Sequence, residues 1–154
     1  MQMRNKKRII RIILLVLIIV WAILVFSMSN QSGAESSGLS QKIASLFLKA
    51  EEQIKIVEPI IRKLAHFSEY VIGGVLFISL FLTYDWTPKK QMTISILLGV
   101  WYAILDEIHQ LFVPNRSGNI IDVCIDSSGI IFGVCCVMFI YKFYKKQHKK
   151  KEGV

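Results

Sequence analysis

Long apolar runs alternate with short polar joints along this chain. Residues 9–28 form an apolar run, interrupted near its start by Arg11. Further apolar segments lie at 64–84, 92–113 and 120–141. About 20 residues rising 1.5 Å each cross a ~30 Å hydrocarbon core, so each segment predicts a transmembrane helix. The first run is followed by no A-x-A-like cleavage site and reads as an uncleaved anchor rather than a signal peptide. The joint at 85–90 holds Asp85, Trp86, Thr87, Pro88, Lys89 and Lys90 and predicts a tight turn. Residues 114–119 predict a second one, and the Ser/Gly/Asn/Gln-rich stretch 29–38 predicts a loop.

Residues 39–62 follow a different pattern. Leu39, Ile43, Leu46, Phe47, Ile54 and Ile61 recur near helical spacing, with Lys42, Lys49, Glu51, Glu52, Lys55 and Glu58 between them. That is an amphipathic helix, broken near Pro59, resting on the membrane surface or on the bundle. A packed extramembrane helix without a lipid role reads equally well. The expected fold is an all-α membrane protein with four transmembrane helices and one amphipathic extracytoplasmic helix. It forms a single domain over 1–154, with an extracytoplasmic segment at 29–63.

Composition supports this outline. The 154 residues are 53% hydrophobic, and the apolar runs are too long for a small soluble core. The formal charge of +8 gathers largely in two tails, 1–11 and 142–151. These tails are read as orientation signals, not as a folded nucleic-acid face. With both termini inside, both tails, Lys89 and Lys90 lie on the cytoplasmic side. Only Lys42, Lys49, Lys55, Arg62, Lys63 and Arg116 then lie outside, as the positive-inside rule prefers. Cys124, Cys135 and Cys136 sit in one apolar run without metal spacing and read as small buried residues.

This topology brings the ionisable groups to one depth. His66 and Glu69 begin the second span, Asp106, Glu107, His109 and Gln110 end the third, and Asp122 and Asp126 begin the fourth. Arg116 lies in the turn between the last two. Charged groups inside membrane-length segments are costly and mark a site by default. Helical spacing puts Gly99, Tyr102, Asp106 and Gln110 on one face, Asp122, Asp126, Gly129 and Gly133 on another, and His66, Glu69 and Gly73 on a third. Each face is polar toward the outer end and small deeper in, so helices would pack closely below an outward-opening polar pocket.

Crowded carboxylates raise one another's pKa and leave one able to act as general acid or base. His66 beside Glu69 suits an acid–base pair. Asp106 and Asp126 suit a base, or oxygen ligands for a hard divalent cation, although the spacing names no particular metal or cofactor. Arg116 suits a phosphate or carboxylate clamp, and equally a headgroup contact or a neutralising partner for an acid. Asp122 reads as a site residue or as an N3 acid after an Asn119 cap. Glu107 lines a wall or pairs with Arg116. Arg62 and Lys63 read as interfacial snorkelling residues, and His109 as an interfacial residue without a role. Asp126, Asp106 and Glu69 lie at least a turn inside their runs, where a structural ion-pair network is the competing account.

Three blocks of sequence resemble the VanZ-like family of bacterial membrane proteins. The first is Lys63, Leu64, Ala65, His66, Phe67, Glu69 and Tyr70. The second is Tyr102, Ala103, Asp106, Glu107 and Gln110. The third is Arg116, Gly118, Asp122, Val123, Asp126 and Gly129. The resemblance covers about 61–141; the first span and the surface helix are similar only in kind. It implies a polar signature of His66, Glu69, Asp106, Glu107, Gln110, Arg116, Asp122 and Asp126, with Lys63 and Tyr70 beside it. The family takes its name from an accessory factor in glycopeptide resistance, chiefly to teicoplanin. The resemblance therefore implies a bacterial inner membrane and action at its outer face, without implying a known reaction.

The expected function is to bind or modify a membrane-anchored envelope molecule, a lipid or a lipid-linked wall precursor. A non-catalytic protein that limits glycopeptide access is the alternative. A small transporter is weaker, because the inner halves of the spans carry almost no polar residue. His66, Glu69, Asp106 and Asp126 are the candidate catalytic groups. Lys63, Tyr70, Glu107, Gln110, Arg116 and Asp122 are the candidate binding groups.

Overall fold

The structure, a computed structural model, describes residues 2–31, 33–114, 116 and 118–151. Ser32 of the expected loop, and Asn115 and Ser117 of the expected outer turn, lie outside the described residues. Among the described residues five helices follow in order: α1 Gln2–Ser29, α2 Gly33–Ser45, α3 Glu51–Leu82, α4 Pro88–Gln110 and α5 Ile120–Lys151. Helices α1, α3, α4 and α5 are long and apolar enough to cross a membrane. The chain is an all-α, multi-pass membrane protein.

Helix α3 touches each of the other four and is the axis of the bundle. Its closest partnership is with α5, along a seam of small residues. A side chain at Gly129 or Gly133 would press into the Phe67 or Val71 carbonyl of α3, and one at Gly74 into the Ile130 carbonyl of α5. Only hydrogen fits there, which is how small residues let two helix backbones close on each other. Around the seam, Trp21, Tyr70, Phe77, Ile78, Ala103, Ile130, Val134 and Met138 form the apolar core.

Helix α1 is peripheral. Trp21, Val25 and Ser29, four residues apart, turn inward, while Ile9, Ile12, Val16, Ile19 and Ile23 stay exposed as a lipid-compatible surface. The Trp21 ring lies edge-on to Tyr70 and Phe77 with centroids 5.9 and 5.8 Å away. Its indole N–H donates to the Glu69 carbonyl at 2.8 Å.

The amphipathic stretch differs from the sequence expectation. The predicted 29–38 loop is helical from Gly33 onward. The chain breaks at 46–50, not at Pro59, and α3 then runs through Pro59 into the second span as one 32-residue helix. Ala50 supplies extended geometry at the start of α3 but no side-chain cap. Proline removes the hydrogen bond to the carbonyl four residues back, here that of Lys55. Lys55 lies on the exposed side of the helix, where solvent can satisfy that carbonyl. Helix α2 lies against α3, so residues 33–61 form a helical hairpin at one end of the bundle.

The two inter-span joints are conventionally capped. The Thr87 hydroxyl accepts from the Lys90 amide at 3.3 Å, with Pro88 at the first helical position. The Asn119 side chain accepts from the Ile121 amide at 3.0 Å and starts α5.

Candidate functional site

All the polar residues singled out in the sequence lie at the end of the bundle that carries the α2–α3 hairpin. They form two adjoining groups rather than one pocket.

The first group lines a cavity of about 60 Å³ between the end of α1, α2, α3 and the Arg116 segment. Its polar walls are Arg62, His66, Glu69, Arg116, Ser36 and Ser40, and its apolar walls include Met28, Leu39, Ile43 and Ile61. Arg116 reaches the end of α1, donating through Nε to the Gln31 carbonyl at 3.0 Å and through Nη2 to the Met28 carbonyl at 3.4 Å. It thereby satisfies carbonyls that a helix C-terminus leaves without partners. Half-burial pushes the Arg116 guanidinium down from its ordinary value and the Arg62 charge adds to this, while Asp106, Glu107 and Glu69 oppose it. Arginine remains a cation through such a shift. Arg62 donates to the Ser37 hydroxyl at 3.1 Å and lies 3.6 Å from Glu58.

The second group is buried behind Tyr70. The Tyr70 hydroxyl donates to Asp106 Oδ2 at 3.2 Å, and Gln110 Nε2 donates to the same oxygen at 3.2 Å. Tyr70, Asp106 and Asp126 are 0%, 3% and 1% exposed. The other carboxyl oxygen of Asp106 and one of Asp126 are buried without a hydrogen-bond partner among the described residues. These groups close off the inner side of the polar end. None of them lines the cavity.

The remaining candidates have structural partners. Glu107 accepts from the Asn119 amide and fastens the α4–α5 joint, instead of pairing with Arg116. Asp122 sits in the first turn of α5 and lies 3.9 Å from Lys63, linking α5 to α3. The cap reading of Asp122 thus has its Asn119 geometry, and Lys63 forms an interhelical pair at that distance. His109 stacks on Phe26 of α1 with centroids 4.2 Å apart. His66 and Glu69 share the cavity, but no hydrogen bond joins them among the described residues. No group of three His, Cys, Asp or Glu side chains among the described residues is arranged to share a metal ion. Cys124 and Cys135 are exposed and Cys136 is half-buried, in place of the burial expected for all three.

The single pocket expected from helix faces therefore divides. His66, Glu69 and Gly73 do share a face, but it looks toward α1 and α2, as the contact of Gly73 with Trp21 shows. Tyr70 is one residue farther, about 100° round the helix, and faces Asp106 on α4. Arg62, whose place at the start of the second span marks it as a snorkelling residue, also lines the cavity. Its spacing to His66, Glu69 and Gly73 (i, i+4, i+7, i+11) would have placed it on the cavity face.

These features define a multi-pass α-helical membrane protein whose ionisable residues gather at one end of the bundle. The chain belongs to the VanZ/LLP1 family, which matches residues 14–141. That span takes in most of the first helix and the α2–α3 hairpin, beyond the three blocks that carried the resemblance. No curated protein and no solved structure matches the chain.

Proposed function

We propose that the protein binds the polar end of a membrane-anchored envelope molecule, a lipid or a lipid-linked wall precursor, at the outer face of a bacterial inner membrane. The observation that carries this reading is the composition of the cavity. Two guanidinium groups, an imidazole and a carboxylate share about 60 Å³ with the apolar side chains of Met28, Leu39, Ile43 and Ile61. Roughly 10–15 Å³ of such volume accommodates one water, so this is space for about four to six water-sized groups, enough for a small polar headgroup. Arginine suits planar or tetrahedral oxyanions through paired N–H donors. The apolar wall suits the chain to which such a group is attached.

Binding is favoured over turnover, because Asp106 and Asp126 do not reach the cavity. In this reading Asp106 holds Tyr70 and Gln110 behind it, while His66 and Glu69 meet the ligand. The core of Ile78, Ile130, Val134 and Met138 below Tyr70 supports a one-sided site over a transport path. The glycopeptide link implied by the family would follow if the bound molecule were part of the envelope that such antibiotics meet.

Two measurements test this reading. One membrane-anchored lipid or wall precursor should copurify with the native protein and be depleted from Arg116→Gln; absence of any copurifying species, or its equal retention by the variant, would remove the proposal. Its outward orientation rests on the lysine and arginine distribution. In a chain stripped of Cys124, Cys135 and Cys136, a cysteine at Gly38 should react with an impermeant reagent in intact cells, and one at Lys146 should not. The reverse pattern would turn the site inward.

A further inference from the structure

The charges in the cavity specify more than an anion. Arg62 already faces Glu58 at 3.6 Å and the Ser37 hydroxyl at 3.1 Å. Neither Arg116 nor Glu69 has an ion-pair partner within 4.0 Å among the described residues. Arg116 gives Nε and Nη2 to the carbonyls of α1, and its fork of five N–H donors leaves others for a ligand. The backbone of Glu69 is fixed by the Trp21 indole at 2.8 Å. The same small volume is thus faced by a guanidinium and a carboxylate, neither of which has an ion-pair partner among the described residues.

A ligand bearing only a phosphate would satisfy Arg116 and set a like charge beside Glu69. A ligand bearing only an amine would do the opposite. A zwitterion satisfies both, and neither charge is left unpaired at the membrane edge, where that is expensive. We propose that this cavity takes the headgroup of an ethanolamine-type phospholipid, with Arg116 on the phosphate and Glu69 on the primary ammonium. This rests on the cavity being the binding site, as proposed above. The small volume favours a bare ammonium, with three N–H donors, over a trimethylated one that has none. Met28, Leu39, Ile43 and Ile61 would lie along the start of the acyl chains.

The test uses the full-length protein in detergent, with lipid binding read by native mass spectrometry. Phosphatidylethanolamine, phosphatidylglycerol and phosphatidylcholine with identical acyl chains are titrated separately. The ethanolamine lipid should bind roughly tenfold tighter than the other two, the worth of one charge-assisted hydrogen-bonded contact. Glu69→Gln should erase this preference while leaving phosphatidylglycerol binding intact. Arg116→Gln should weaken all three, and Arg116→Lys, which keeps the charge but not the paired N–H donors, should weaken them less and serves in its place if the first variant does not fold. Equal binding of the ethanolamine and glycerol lipids by the native protein, or a preference that survives Glu69→Gln, would overturn the inference. Loss of all binding in Arg116→Gln without any headgroup preference would leave the cavity reading standing and this inference refuted. Binding indifferent to both arginine variants would remove both. Soluble glycerophosphoethanolamine should not displace the lipid at matching concentration; if it does, the ligand is not a lipid.

Discussion

The two ends of the bundle solve the problem of polar groups near a membrane in opposite ways. At the end formed by the start of α1 and the α3–α4 joint, the polar groups are matched. Arg11 donates to the Thr83 hydroxyl at 3.0 Å and the Thr83 carbonyl at 2.8 Å, and lies 3.9 Å over the Tyr84 ring. Lys7 pairs with Asp85 at 2.8 Å, Lys90 sits 4.4 Å over Trp86, and Gln91 donates to the Tyr84 carbonyl at 3.0 Å. At the other end, Asp106, Glu107, His109, Asp122 and Asp126 each keep a buried polar atom without a hydrogen-bond partner among the described residues. Proteins seldom leave such atoms unmatched, because each costs free energy, and the exceptions gather where function needs them. The matched end resembles an anchor at the lipid–water boundary, where aromatic and basic residues settle. At the other end the unmatched atoms surround the cavity without lining it.

The largest expected effect attacks the seam that both ends share. Gly133→Leu should cost roughly 3 kcal/mol or prevent folding altogether, since its side chain would force α5 away from the Val71 carbonyl. Ile131→Leu, on the exposed side of the same helix, should be nearly silent. Thermal melts of the two variants in detergent make the comparison. Equal stability would mean the seam does not hold the bundle.

Next comes a division within the unmatched end. Asp106→Ala removes the acceptor of both Tyr70 and Gln110, so two buried donors lose their partner at about 1 kcal/mol each. Glu69→Gln should change stability by no more than about 0.5 kcal/mol, because it orphans nothing. If both variants melt alike, the cavity and the buried group behind it are a single structural unit.

The matched end should respond less. Arg11→Ala loses two hydrogen bonds and a ring contact, together about 1–2 kcal/mol in a half-buried setting. It should leave lipid binding at the far end unchanged. A binding defect there would erase the separation between the two ends.

The smallest effect is one of pH. The Lys7 hydrogen bond and charge hold the Asp85 carboxyl below its ordinary value. A depressed folded-state pKa gives stability that is present above the unfolded pKa and is lost as pH falls through the folded one. The pair is exposed, so its contribution is small. Asp85→Asn should therefore match the native protein at low pH and fall marginally below it at neutral pH. A difference that grows on acidification would have the wrong sign.

The four crossing helices were legible because a bilayer imposes length and apolarity together, and the runs at 9–28, 64–84, 92–113 and 120–141 meet both demands. The hairpin was misread for a physical reason. Pro59 is a strong local signal, yet an exposed turn of helix tolerates it, whereas the true break at 46–50 has neither glycine nor proline and no capping side chain. The polar end was legible as a depth, since span ends can be counted. Its division was not, because periodicity tells which residues of a helix share a direction but not which neighbour lies in that direction. Trp21 decides the matter for α3. By filling the space beside Gly73 it fixes where α1 stands, and so leaves Glu69 facing the cavity while Tyr70 turns to Asp106.

The unbroken length of α3 sets the height of the cavity. A 32-residue helix is roughly 48 Å long, well beyond a hydrocarbon layer of about 30 Å. Measured from Leu82 at the matched end, His66 stands about 24 Å up the axis. If that end marks one boundary of the oil, the cavity opens just short of the opposite one, level with the shoulders of neighbouring lipids. A guest at that height could slide in sideways from the leaflet, its tails never leaving oil and its head never crossing open water. The protein would then meet its ligand as a fellow resident of a crowded two-dimensional fluid, where occupancy follows the mole fraction of a lipid and not its concentration in solution.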